Sequence, residues 1–157
     1  VKIKGKKIEG VNIEIIPIPR GNGPDIIFKA RAVLDMESFE KMCPVPNPPL
    51  RKIDGVDVPN LKDLNYLTQV TRHAEQRMAW MVITSLEATE GLEWEKVDVS
   101  DASTWIHLRE ELKDSGFNGI EVNRIIAGVV SVNSLSEDKI EAARERFLLS
   151  EQVPDGN

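Results

Sequence analysis

Between Cys43 and Asn60 the chain carries Pro44, Pro46, Pro48, Pro49 and Pro59. Each proline removes a backbone donor and fixes φ, so neither an α-helix nor a central strand can run through this stretch. The segments on either side must therefore find regular structure separately. We read residues 1–43 as a β-rich N-terminal region, 44–60 as an extended Pro-rich linker without regular structure, 61–150 as a helical domain and 151–157 as a tail. The expected fold is α+β, with an N-terminal β-hairpin sheet, a Pro-rich loop and a C-terminal bundle of about four helices.

The strand reading rests on alternation. Val1 to Lys4 alternates apolar and charged residues, Gly5-Lys6 supplies a turn, and Lys7-Ile8-Glu9 resumes the pattern. Val11, Ile13 and Ile15 mark one face of a longer strand, and Ile26, Phe28, Ala30, Ala32 and Leu34 mark another. Arg20-Gly-Asn-Gly-Pro24 lies between them and tolerates the positive φ of a tight turn. The spacing predicts a hairpin over roughly 11–34. Ile15-Ile16 breaks the period and predicts a bulge or a strand buried on both sides. Asp35 to Met42 reads as two helical turns, and Asp54-Gly55 as a further turn inside the linker.

The second half has helical spacing. Leu64, Leu67, Val70, Ala74, Met78, Met81 and Val82 recur at intervals of three and four over about 62–88. Tyr66, Trp80, Ile83 and Leu86 widen the stripe, which predicts a central helix contacted on several sides. Trp105, Leu108 and Leu112 define a shorter helix that Gly116 closes. Asn118 and Glu121 are spaced as a capping box, with Phe117 placed to staple Val122. Val122, Ile125, Ile126, Val129 and Val130 then form an apolar stripe. Leu135-Ser136 repeats the entry device ahead of Ile140, Ala143, Phe147 and Leu148.

A search for reactive constellations returns little. Cys43 is the lone cysteine, so no internal disulfide is available and a reducing compartment is expected. It has no Cys-x-x-Cys or His spacing for zinc. A dyad with His73 or His107 is allowed by sequence, but a structural or incidental cysteine is the better reading. His73 reads as a helix-surface residue, and His107 receives no role. No P-loop, nucleophile elbow or dinucleotide fingerprint is present, so no cofactor is expected. The glycine-rich turn at 20–24 lacks a following helix to favour a phosphate. Glu87, Glu90, Glu93, Glu95, Asp98 and Asp101 are out of register for a calcium loop and read as a solvated connector, with Asp101 facing the next helix N-terminus. Glu110-Glu111 and Glu141 with Glu145 read as surface charges.

Charge narrows the partners. Residues 1–31 hold seven Lys and Arg against three acids, net +4, which leaves −10 for the rest of a chain whose total is −6. An acidic body repels phosphate backbones, so nucleic acid is not an expected partner. No apolar run reaches the length of a membrane span, and the lysines at 2, 4, 6 and 7 interrupt any signal-peptide core, which suggests a cytosolic chain without membrane partners. The same lysines suit an exposed strand edge that must not pair with other chains. Met78, Trp80 and Met81 gather soft and aromatic side chains on one helix, a composition suited either to an adaptable contact surface or to a core stripe.

MAWMVITSLEA over 78–88, GLEW at 91–94, FNGIEVNR at 117–124 and NSLSEDKIEAARERF at 133–147 together resemble the tail assembly chaperones of tailed bacteriophages. The resemblance covers roughly residues 60–150. It implies a non-enzymatic protein of the host cytoplasm that coats the helical tape-measure protein and helps recruit tail-tube protein. Candidate partner-binding residues, chosen on physical grounds, are Met78, Trp80, Met81, Val122, Ile126 and Val129, and a homo-oligomer is compatible with them. Two alternatives stand beside this one. The first is a structural virion protein of the tail or connector, whose basic hairpin augments a neighbour's sheet. The second is a small ligand-binding protein or enzyme built on Cys43 or the acidic connector.

If Ser136 caps the last helix, Ser136→Ala is expected to cost about 1 kcal/mol, which a thermal melt of the two proteins would read.

Overall fold

The computed structural model describes residues 1–152; the end of the expected tail lies outside the described residues. The fold is α+β. Strands β1 (Lys2–Ile3) and β2 (Lys6–Lys7) form a short hairpin around Lys4-Gly5, both at positive φ. Strands β3 (Ile13–Ile18) and β4 (Ile26–Arg31) form the main hairpin, and α1 (Glu37–Met42) follows. Strands β5 (Leu50–Ile53) and β6 (Val56–Pro59) make a third hairpin. Helix α2 (Leu64–Leu86), a 3-10 turn at Ala102–His107, α3 (Leu108–Asp114), α4 (Gly119–Val132) and α5 (Glu137–Glu151) complete the chain. The β structure is thus three separate two-stranded antiparallel hairpins.

The β3–β4 register runs unbroken from Ile13 opposite Arg31 to Ile18 opposite Ile26. Neither expectation for Ile15-Ile16 holds: there is no bulge, Ile16 is buried, and Ile15 lies exposed on the outer face. Period two is kept by leaving an isoleucine in solvent. Pro17 is tolerated inside β3 because a two-stranded ribbon has only edge strands.

The Pro-rich stretch departs from its reading as irregular. The β5–β6 hairpin occupies it, turning at Asp54 and Gly55 with φ of 51° and 79°. Positive φ at both central residues is the twist a two-residue hairpin turn requires. The prolines spare the ladder, since Pro44 to Pro49 precede β5 and Pro59 is the last residue of β6. Counting prolines hid a strand pair fitted between them.

One apolar cluster holds the fold together. The inner face of β3–β4 (Ile16, Ile18, Phe28, Ala30) meets Phe39 of α1, Trp80, Val82, Ile83 and Leu86 of α2, Trp105, Leu108 and Leu112, and Val122, Ile125, Val129 and Val132 of α4. The hairpin therefore packs into the helical layer. Helix α3 ends in a Schellman turn: Gly116, at φ 94°, donates to Lys113, and Phe117 donates to Leu112. That turn delivers Phe117 into the core and sets up the capping box of α4, where Glu121 donates its amide to Asn118 Oδ1 and returns its carboxylate to the Asn118 amide.

Two helices are only partly covered. The expectation of contacts on several sides of α2 holds for Trp80 to Leu86, whereas its first four turns face solvent on one side. Helix α5 is capped by Ser136 as expected, but it has no buried residue. The cost of Ser136→Ala therefore falls on α5 itself, as faster amide exchange over 137–151, and only weakly on the global melt.

Helix α4 lies close against β3 at Gly128, where an added Cβ would overlap the buried side chain of Ile16. Gly128→Val is expected to destabilise the protein by about 2 kcal/mol in a denaturant melt, and Ile16→Ala in the same chain should recover part of that loss.

Candidate partner-binding surface

Helix α2 begins at Asp63, whose side chain accepts from the Tyr66 amide at 2.8 Å. One edge of the helix is fixed to the body. His73 Nε2 lies 3.1 Å from the Cys43 carbonyl, and its ring is tilted against Phe39 at 5.2 Å. One heptad further on, Trp80 packs against the same Phe39 at 5.7 Å. Because side chains seven apart share a face, this edge is set by His73 and Trp80. Centred about a third of a turn around the helix, Leu64, Leu67, Val70, Ala74 and Met78 point to solvent; Leu64 is 79% exposed and Leu67 45%.

The structure divides the six candidate contacts. Met78 is exposed, while Met81 and Ile126 are half-buried. Trp80, Val122 and Val129 are core residues and leave the candidate surface. Trp80 belongs to the inward edge of α2, and Val122 and Val129 are the face of α4 that closes on the hairpin and α2. The residues that replace them are Leu64, Leu67 and Val70. Their spacing was visible in the sequence, but periodicity gives a face and not what covers it.

The other sequence candidates are tied up internally. His73 is half-buried and engaged with α1, contrary to its reading as a surface residue. Burial pushes the Cys43 thiol above its ordinary pKa, against a weaker opposing pull from Arg72, and the His73 nitrogen meets the backbone carbonyl of Cys43. His107 is exposed, with Nδ1 3.2 Å from Glu110. Among the described residues, no group of three or more His, Cys, Asp or Glu is placed to hold a metal ion. No described helix is long and apolar enough to cross a membrane.

The acidic connector is ordered by one carboxylate, Glu111, which is not the surface charge its sequence suggests. Glu111 is buried and accepts from three consecutive backbone amides, those of Glu95, Lys96 at 3.0 Å and Val97 at 3.1 Å. A buried carboxylate is tolerated where such donors replace its water. Its neighbour Glu110 is the surface charge expected, and shares Lys96 with Asp114. Asp114 and then Glu110 hold the Lys96 ammonium well above the usual lysine range. Asp98 and Asp101 accept from Ser100 and Ser103 in local turns, and Asp101 caps the 3-10 turn as expected.

The turn at 20–24 is a hairpin turn, closed by the Arg20 amide on Asp25 Oδ1 at 3.0 Å. The Arg20 guanidinium pairs with Glu121 and lies over the Phe117 ring, 5.0 Å from its centroid. This is a long-range tie between the hairpin and the start of α4 that no local pattern signals. No protein-family model, curated protein or solved structure matches this chain.

The Asn118 amide, and next the Arg20 guanidinium, hold the Glu121 carboxyl below its ordinary value of 4.5. A depressed folded-state value means that this tie contributes fully above the ordinary range and is lost as pH falls through the lowered one. Melts taken at decreasing pH should show the wild type losing stability in the acid range, with a shallower acid limb for Glu121→Gln.

Proposed function

We propose that this chain is a non-enzymatic assembly protein, a tail assembly chaperone of a tailed bacteriophage that binds the tape-measure protein, tail-tube protein or both. The observation that carries the reading is the apolar stripe on the first four turns of α2, from Leu64 to Met78, held outward by a helix whose opposite edge is anchored. Such a stripe suits an amphipathic helical partner, because apolar residues at intervals of three and four interlock with the same spacing on another helix. Reversible burial of that surface would keep a long apolar partner soluble until tube subunits replace the chaperone. Of the phrases that resemble this family, the one at 78–88 overlaps the C-terminal end of α2, and those at 117–124 and 133–147 fall on or next to α4 and α5.

A second reading, a structural component of the virion, draws on the β1–β2 hairpin. All of its residues are exposed and both strands are edges, a geometry that can extend a neighbour's sheet.

A tagged pull-down from cells making the chain with its native neighbours should recover a long helical protein or a tube subunit. Met78→Glu should reduce that recovery about tenfold while leaving the far-UV circular dichroism of the fold unchanged, since the residue is exposed. Met81→Glu is the less clean variant, because Met81 is half-buried. Undiminished recovery by a folded Met78→Glu protein would remove the stripe from the reading. Finding the chain in purified mature particles would favour the structural component.

A further inference from the structure

Helix α5 is the least supported of the described helices, having no buried residue. It runs for 15 residues, and beyond Ala142 every one of them is exposed. An isolated helix of this length is marginal in water, and stable helices in proteins usually bury an apolar face. Helix α5 has such a face: Ile140, Ala143, Phe147 and Leu148 follow helical spacing, with Phe147 60% exposed.

The same chain presents a second uncovered stripe of matching size. The exposed stretch of α2 from Leu64 to Met78 also spans 15 residues, so both are roughly 22 Å long. Their charges are complementary. Helix α5 carries five acids against Lys139, Arg144 and Arg146, and α2 carries Arg72 and Arg77 against Glu75.

The two stripes are not packed on each other within one chain. Lys139 Nζ pins the start of α5 to Glu14 of β3 at 3.0 Å and to the carbonyl of Ser131 at the end of α4. Asn133 Nδ2 fixes that end of α4 to Ser85 Oγ, at 3.0 Å, near the C-terminus of α2. The path back along α2 is closed, since Val82, Ile83, Ser85 and Leu86 are already buried under β4, the 3-10 turn and α4. A second copy has no such obstruction at its N-terminal turns.

We propose that two copies of this chain exchange their last helices, α5 of each lying on the Leu64–Met78 stripe of the other. The pair is isologous, so a single kind of contact occurs twice and covers all four stripes. Self-association needs no other protein, so its test is separate from that of the tail-assembly reading. Partner and second copy compete for one stripe, and the free protein stores it covered.

Sedimentation of the full chain over a wide concentration range tests this, with Leu67→Glu and Phe147→Glu as the variants. Both positions are exposed, so each variant should fold, as checked by circular dichroism. The wild type should be a dimer, and each variant should dissociate at a concentration about tenfold higher or more, because it buries a charge in an apolar contact. Mixing the two variants should recover dimer, since the mixed pair keeps one intact α5–α2 contact. A monomeric wild type would overturn the proposal. So would a dimer weakened by only one variant, which would mean α2 on α2 or α5 on α5, or a failure to recover dimer on mixing. Loss of partner capture with the dimer intact would count against the tail-assembly reading alone.

Discussion

The packing of the β3–β4 hairpin against α4 is the contact on which the rest of the fold depends. A two-stranded ribbon is marginal by itself in water, because half of its side chains have nothing to bury against. Here Ile16, Ile18, Phe28 and Ala30 are buried, and the close approach that allows it is at Gly128, where the missing side chain leaves room for Ile16. The hairpin in turn covers the face of α4 that carries Val122, Ile125 and Val129. The β and α parts are mutually dependent: each supplies the other's apolar cover.

Polar ties fix the register of that packing. Asn133 bridges three segments, accepting from the Val33 amide at 2.7 Å and donating to Ser85 and to the Val129 carbonyl. Thr89 closes the free edge of β4 by exchanging hydrogen bonds with Lys29. Arg20 and Glu121 join the far end of the hairpin to the first turn of α4. Glu111 does comparable work on the other side, threading the connector through its carboxylate. Apolar burial is non-directional, so these few directional contacts choose one arrangement among many of similar area.

Local features were legible in the sequence because their causes are local. The 13–31 hairpin, the Asn118–Glu121 capping box, the Gly116 turn and the Ser136 cap are each decided by residues within a few positions of one another. What escaped was decided at a distance. Glu111 resembles any other helix-surface acid until the connector folds over it, and Arg20 resembles any turn residue until α4 arrives. The candidate contacts were mixed for the same reason. Trp80 and Met78 sit two residues apart on one helix, and the way the body packs on that helix, Phe39 included, makes one core and the other surface.

The distribution of apolar residues bears on what this fold is for. A chain selected only to fold alone would place Leu64, Leu67 and Phe147 under cover or replace them with polar residues, since their exposure contributes nothing to the core. Here they are arranged at helical spacing on two elements that the body holds outward, by His73 and Trp80 in one case and by Lys139 in the other. The anchors stop short of the stripes. Each helix is thus positioned at one edge or one end and left open elsewhere, and the proposed helix binding rests on that exposure. Core packing determines where the stripes stand, and on the proposed reading the stripes would select the helices they meet.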